Sequence, residues 1–196
     1  MSKIRWIAPL LGALVACIPL LTSANQHTPH LDSFLTIDTG NGFRLSVPSS
    51  PSRVIDNDSV LILVYSPDIS ITLTVTHRKD ILALLDDDDM SLADFTRLVF
   101  APAEADESGV TDEETVAKHA RAMAGALLGR GQSADTLNLA DIQIFHFPRK
   151  IFPGEAMERR AFVISDQAED TQLDISALGV QEETFLRILQ SLRRSD

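Results

Sequence analysis

The sequence predicts an α+β domain in which helices pack on an antiparallel sheet, and three observations favour this class. Aliphatic and polar residues alternate without interruption over residues 69–76, which is the period of a half-buried strand. Residues 185–192 instead repeat apolar positions at spacings of three and four, which is the period of a helix. Strand patterns open the chain, helix patterns fill its middle, and strands return before a last helix, an order typical of α+β folds.

The composition favours a folded, acidic domain. Apolar residues make up 44% of the 196 residues, enough to bury a sizeable core. The formal net charge of −11 argues against a nucleic-acid partner and against electrostatic docking on anionic lipid. It suits a basic protein partner, and solubility explains it equally well. The single cysteine, Cys17, lies before the predicted domain, which therefore holds no disulfide.

The first residues have the pattern of an export signal. A basic start precedes an apolar stretch over residues 6–21, which is too short and too interrupted by proline for a comfortable transmembrane helix. Small residues then favour cleavage after Ala24, which makes residues 1–24 a signal peptide. The style of the leader is bacterial, so we expect a periplasmic protein.

A second cleavage pattern overlaps the first. Leu14-Val15-Ala16-Cys17 resembles the lipobox of bacterial lipoproteins, in which residues 1–16 are removed and the cysteine is acylated. The apolar run continues beyond Cys17, which favours the ordinary cut. An uncleaved anchor is the third alternative. All three place the domain outside the cytoplasm, and lipid on Cys17 would tether it to the membrane.

Residues 25–33 read as a short polar tether, and residues 34–196 as one domain. Strand signals at 34–37 and 43–47 flank a segment rich in glycine and asparagine, which predicts a hairpin. The continuously apolar residues 60–65 predict a strand covered on both faces.

Two helices follow, each with a capping-box pattern at its start, at Ser91 and at Thr111. Gly129 occupies a C-terminal glycine position of the second helix. Arg193 and Arg194 fall at the negative end of the last helix. The remaining strands are expected at 137–147, 157–165 and 171–177, joined by loops at 148–154 and 166–170.

The whole pattern resembles the PsbP/DcrB-like fold, which is also seen in Ran-binding Mog proteins. The likeness is carried by the hairpin strand at 43–48, the helix opening Ser91-Leu92-Ala93-Asp94-Phe95, and the strand at 172–176 that leads into the final helix. The resemblance covers residues 40–194 and implies a binding module. DcrB-like members are envelope lipoproteins, and some secreted relatives are immunity proteins. Members share no catalytic set, so no residue role is carried over.

Patterns of catalytic and metal chemistry are missing from the sequence. It has no His-Glu-x-x-His, no paired cysteines and no Gly-x-Ser-x-Gly. We therefore predict a protein that is not an enzyme and has no cofactor. A hydrolase with an unrecognised carboxylate site is the further alternative, because acids are abundant.

Acidic segments are the predicted partner-binding sites. A four-aspartate run precedes the first of the two central helices, and the loop after that helix is also acidic. The run departs from the EF-hand calcium pattern and also suits a solvated loop before a helix N-terminus. The candidate residues are Asp86, Asp87, Asp88, Asp89, Glu104, Asp106 and Glu107. Two basic pairs, Arg149-Lys150 and Arg159-Arg160, form either a small basic patch or a solvated hairpin.

A metal hypothesis depends on the cut after Ala24. The new terminus would be Asn25-Gln26-His27, in which an amine, two backbone amides and an imidazole can surround Cu²⁺ or Ni²⁺ in a square plane.

The resulting functional prediction is a non-catalytic periplasmic binding protein that presents a sheet face or loop to a protein partner. Its specific form is an immunity protein against a secreted effector. The alternative is an envelope assembly or maintenance lipoprotein of DcrB type.

Overall fold

The computed structural model describes residues 31–81, 90–100, 112–129, 132–150 and 157–195. The predicted α+β class is confirmed, since antiparallel sheets carry helices across these ranges. In chain order the elements are β1 (Phe34–Asp38), β2 (Phe43–Pro48), β3 (Arg53–Asn57), β4 (Val60–Ser66), β5 (Ile69–His77), α1 (Arg78–Ile81), α2 (Leu92–Phe100), α3 (Asp112–Leu128), β6 (Asp135–Leu139), β7 (Ile142–Lys150), β8 (Met157–Ser165), β9 (Thr171–Leu178), α4 (Glu182–Gln190) and β10 (Arg193–Arg194).

The strands form two sheets rather than the single sheet expected. A seven-stranded sheet has the order β3-β4-β5-β9-β8-β7-β6, and a three-stranded sheet has the order β1-β2-β10. Every pairing is antiparallel. Since β10 pairs with β2, the small sheet joins the opening hairpin to the end of the chain.

One face of the large sheet, here called the inner face, packs on the small sheet and on α4. Because strand side chains alternate between faces, every second residue of β4, β5, β7, β8 and β9 enters this layer. The buried Tyr65 adds a polar link, since its hydroxyl donates to the Pro48 carbonyl at 2.7 Å. The fully buried large side chains of this core are Phe43, Leu45, Ile71, Ile144, Leu173, Ile175, Phe185, Ile188, Leu189 and Leu192.

The opposite, outer face is covered by α2 and α3 over part of its width. Phe100 of α2 stacks on Phe145 of β7 at a centroid distance of 4.9 Å. The buried Thr96 hydroxyl hydrogen-bonds both the Leu92 carbonyl and the Gln172 side chain, so the one buried polar pair beneath α2 is satisfied. Phe95 and Val99 pack against α3, as the predicted apolar faces of the two helices require.

The expected second cover over residues 60–65 is not observed among the described residues. Leu63 and Tyr65 are buried on the inner face, whereas Val60, Ile62 and Val64 on the outer face are only half-buried. None of these three belongs to a hydrophobic cluster of the described part of the chain.

Two hairpins depart from the predictions. Residues 53–57 form a strand that was not predicted, and it turns into β4 through Asp58 and Ser59. The strand predicted over 137–147 is two strands, because the chain reverses at Ala140 and Asp141. The first residue of each turn has a positive φ, 42° at Asp58 and 49° at Ala140, without glycine to favour it.

The predicted helix ends are partly confirmed. The Ser91 hydroxyl accepts from the Asp94 amide at 3.0 Å, as a capping residue should, whereas Thr111 lies outside the described residues. Gly129 ends α3 with φ at 83°. Arg193 and Arg194 form β10 instead of extending α4, although the Arg193 guanidinium still donates to the Gln190 carbonyl at the helix end.

We expect Gly179→Ala to destabilise the fold more than Gly40→Ala does. Both glycines have positive φ, 66° and 72°, so alanine at either costs roughly 1–2 kcal/mol of unfolding free energy. A Cβ at Gly179 would also lie 2.1 Å from the Asp68 carbonyl oxygen, whereas one at Gly40 meets no atom within 4 Å. The clash adds about 1–3 kcal/mol. Urea unfolding measures both, and equal losses would contradict the close approach at Gly179.

Candidate functional site

The predicted site residues all fall outside the described part of the chain. This applies to the lipidation candidate Cys17, the metal-binding candidates Asn25, Gln26 and His27, and the partner-binding candidates Asp86, Asp87, Asp88, Asp89, Glu104, Asp106 and Glu107. Each of these assignments therefore stays a prediction.

The structure does place the two ends of the segment that contains the aspartate run. The segment leaves the described chain after Ile81 and re-enters it at Met90. The Arg78 guanidinium donates to the Met90 carbonyl at 2.8 Å, so the two ends lie side by side. The neighbouring loop at 166–170 also contributes, because its Glu169 carbonyl accepts from the Ala93 amide and its Asp170 carbonyl from the Arg78 amide.

A different acidic site lies where the two sheets meet, and we call it the acidic cleft. It is a hollow of about 240 Å³ between the β1–β2 turn, the β3–β4 hairpin and β5. Its floor is apolar and its rim carries three carboxylates, with no lysine, arginine or histidine in the lining. The lining residues are Asp38, Thr39, Gly40, Asp56, Asp58, Ser59, Val60, Leu61, Leu73 and Val75.

Asp38 has a structural role at one side of the cleft. Its carboxylate accepts from the Gly40 amide at 2.9 Å, from Arg44 at 3.1 Å and from the Ser195 hydroxyl at 3.1 Å. These donors, the Gly40 amide first, lower the pKa of Asp38 below its ordinary value of 3.8. The carboxylate therefore stays ionised while it joins the hairpin turn to the last residues of the chain.

Asp56 and Asp58 differ from Asp38 because no described residue pairs with them. Both are exposed: Asp56 lies near the end of β3, and Asp58 is the first residue of the β3–β4 turn. Neither has a hydrogen-bond or ion-pair partner in the described part of the chain. Opposite Asp56 in the ladder lies Leu61, and opposite Leu61 lies Leu73, so one cross-strand row leads from the carboxylate to the floor.

The chemistry of the acidic cleft suits an organic cation. Among the described residues no three histidine, cysteine, aspartate or glutamate side chains are placed to hold a metal ion. The volume of the acidic cleft, about 240 Å³, lies below the roughly 300–1,000 Å³ typical of clefts that enclose drug-sized ligands. A single lysine or arginine side chain fits this combination, with apolar methylenes on the floor and a charged end at the rim.

Of the two alternatives for the basic pairs, a basic patch is not formed by the arginine pair on β8. Arg159 and Arg160 point to opposite faces of the sheet, as neighbours in a strand must. Arg159 pairs with Glu182 at 3.5 Å, and Arg160 pairs with Asp174 on the outer face. Burial raises the pKa of Asp174 against the opposing effect of Arg160, so this pair serves the sheet rather than a ligand.

Two other hollows are weaker candidates for a binding site. One of about 510 Å³ lies between the end of α3 and the β7–β8 hairpin, and its walls adjoin residues 151–156, outside the described ranges. One of about 130 Å³ contains His146, whose pKa is lowered by burial, together with the paired Arg159 and Glu182. The Arg159 and Glu182 charges in this hollow therefore already offset one another.

Comparison with known proteins adds no relative. No protein-family model matches the chain, and no curated protein is similar to it. The resemblance to the PsbP/DcrB-like fold therefore stays a prediction. Within the described ranges, no helix has the length and hydropathy that crossing a membrane requires.

Sequence reasoning missed the acidic cleft because it missed β3. Asp56 and Asp58 are separated by one residue and lie in a segment for which the sequence predicted no element. Only their place beside the β3–β4 turn, next to Asp38 from a distant hairpin, brings the three carboxylates together.

We expect Asp38→Asn to lower stability in a pH-dependent way. The folded state lowers the pKa of Asp38, so the ionised carboxylate stabilises the fold fully above pH 3.8, and this contribution disappears as pH falls through the folded-state pKa. The gap in unfolding free energy between the original protein and the variant should therefore narrow below pH 3.8. Urea unfolding between pH 7 and pH 2.5 measures it.

Arg44→Gln is the companion variant, since it removes one of the donors but keeps the carboxylate. In that variant an NMR titration should show the Asp38 pKa moving upward. A stability gap that is independent of pH, or an unchanged Asp38 titration, would contradict the proposed bonding.

Proposed function

We propose that this protein is an exported, non-catalytic binding protein that recognises a basic side chain of a protein partner in the acidic cleft. The observation that carries the proposal is the pair Asp56 and Asp58, two exposed carboxylates without a described partner at the rim of a hollow with an apolar floor. Export, to the periplasm, is proposed on the leader pattern of residues 1–24 and the alternative lipid site at Cys17.

The fit of a lysine or arginine side chain follows from its two chemical parts. Its methylene stem loses water contact against Leu61, Leu73 and Val75, which stabilises the complex through the hydrophobic effect. Its cationic end reaches the exposed carboxylates at the rim. Arginine gains further, because its planar fork can bond a carboxylate through two nitrogens.

A protein partner fits better than a free small molecule because the cleft encloses little. It opens at the meeting of two hairpin turns, so whatever carries the basic side chain must spread over the surrounding surface. The net charge of −11 supports this choice, since it attracts a basic protein over long range and raises the rate of encounter.

An immunity protein is the specific form that we favour. Such a protein binds a delivered effector outside the cytoplasm and needs complementary charge more than catalytic groups. The acidic cleft supplies that charge in the described domain, and the predicted acidic segments at 86–89 and 104–107 would add to it.

The test is the double substitution Asp56→Asn/Asp58→Asn. Each product of a neighbouring secreted gene is purified and titrated against the protein by calorimetry at two salt concentrations. Loss of two exposed ion pairs should weaken binding about two- to thirtyfold and reduce its salt dependence.

The matched control is Asp68→Asn/Asp135→Asn, which removes two exposed carboxylates elsewhere on the large sheet. It should leave affinity within about twofold. If the two double variants bind every partner equally well, the acidic cleft is not the recognition site.

A further inference from the structure

The edge strand β3 differs from the other outer strands of the two sheets. In β6 the half-buried Leu137 and Leu139 pack against the main core, and in β1 Phe34 and Ile37 do so. In β3 neither Val54 nor Ile55 belongs to a hydrophobic cluster of the described residues. The strand is held by its ladder with β4 and covers nothing.

The side chains of β3 are correspondingly exposed. Val54 is 55% exposed, more than Leu35 at 37% or Leu98 at 41% on other elements. Across β4 its partner is Leu63 on the inner face, whereas Ile55 pairs with Ile62 on the outer face, where both are half-buried. Among the described residues no strand pairs with the outer side of β3, so it is an edge with a solvent-facing aliphatic side chain, which is a template for another strand.

We propose that β3 binds an extended basic segment of the partner by antiparallel strand addition, with a lysine or arginine of that segment placed opposite Asp56. This deepens the proposed function and rests on it. The added strand would become the eighth of the large sheet, and its backbone would bond the free edge of β3.

The register of the large sheet fixes what each position of the added strand must be. Residues opposite one another in an antiparallel pair point to the same face. Asp56 lies opposite Leu61, so the residue added opposite Asp56 points to the inner face, where the acidic cleft lies. The strand spacing of about 4.8 Å brings a lysine ammonium there within reach of the carboxylates of Asp56 and Asp58.

The next position of the added strand lies opposite Ile55 and points to the outer face. An aliphatic residue there would extend the cross-strand row formed by Ile55 and Ile62. The position after that lies opposite Val54 and would cover its exposed side chain. The complementary segment is therefore basic, then aliphatic at two successive positions.

Charge argues against a second copy of this chain as the occupant. A two-fold pairing of β3 about Ile55 would set Asp56 opposite Val54 of the second copy. It would also place two acidic clefts on one face of a joined sheet, in a protein whose net charge is −11. Like charges at that spacing oppose the contact.

The experiment uses the capped peptide Lys-Thr-Lys-Val-Ile-Thr, whose second lysine falls opposite Asp56 in the proposed register. Its charge control replaces both lysines with glutamate. Its backbone controls are two isomers with one N-methyl group each, on the valine or on the isoleucine. Only one of these adjacent amides can face β3, because amides alternate along a strand.

We expect the lysine peptide to bind and the glutamate peptide to bind at least tenfold more weakly. One N-methyl isomer should lose about tenfold in affinity, and the other should retain binding. Hydrogen exchange of alternate β3 amides should slow on binding. Asp56→Lys should abolish peptide binding, whereas Asp135→Lys on the other edge strand of the large sheet should not. If Asp56→Lys fails to fold, Asp56→Asn replaces it as the test variant.

The outcomes separate the two proposals. Equal binding of the N-methyl isomers with a retained lysine preference overturns strand addition and leaves the acidic cleft as a side-chain site. An N-methyl difference without lysine preference leaves strand addition and overturns the cleft. Self-association through β3, detected by sedimentation and removed by Val54→Lys, together with no peptide binding, overturns the inference in favour of a second copy.

Discussion

The docking of the small sheet on the inner face of the large sheet is the constraint on which the rest of the structure depends. Seven strands present an apolar face that water must not reach, and α4 alone is too short to cover it. The opening hairpin and the last residues of the chain complete the cover together, because β10 pairs with β2. A Ser191 hydroxyl that accepts from the Ser46 amide at 2.8 Å fixes α4 to the same strand. The acidic cleft exists only because this docked layer brings Asp38 beside the β3–β4 hairpin.

The outer face of the large sheet is covered by helices over only part of its width, and it contains a largely buried ion pair. α2 covers its β7–β8–β9 side through the aromatic contacts of Phe100, and α3 packs against α2, while the β4–β5 side carries threonines and half-buried aliphatics. Arg160 and Asp174 lie between these regions, with the guanidinium 5.1 Å from the Phe162 ring. Among the described residues, the Arg160 Nε and Asp174 Oδ1 atoms are buried without a partner, so desolvation offsets part of the attraction and raises the Asp174 pKa. This pair links β8 to β9 within the sheet, and its charges offset one another.

How much of the fold the sequence predicts depends on whether side chains or backbone bonds hold each element. The regular alternation of β5 and the Ser91 cap were predictable because burial and capping act through particular side chains. The β6–β7 turn was missed, although the sequence carries its signal: inner-facing residues change from odd positions, Leu137 and Leu139, to even ones, Ile142 and Ile144. β3 gives no such signal, since ladder bonds are independent of sequence and its side chains cover no core. The acidic cleft was missed for the same reason.

The large number of acidic residues does not by itself identify a binding site. The carboxylates differ, however, in whether a neighbouring side chain already bonds or pairs with them. Asp94 and Asp166 bond Arg97, Glu158 bonds the Ser176 hydroxyl, and Asp170 lies near Arg78. Each of these carboxylates has a neighbouring donor or cation, which also links it to another loop or strand or to its own helix. Asp56 and Asp58, like Asp68 and Asp135, have no hydrogen-bond or ion-pair partner in the described chain, and they lie with Asp38 beside an apolar floor and the edge strand β3. Solubility would be served by carboxylates placed anywhere on the surface. Recognition of a cation requires carboxylates that meet at one place, and Asp56 and Asp58 meet Asp38 at one hollow. The proposed function therefore depends on the position of the β3–β4 hairpin and not on the acid content of the chain.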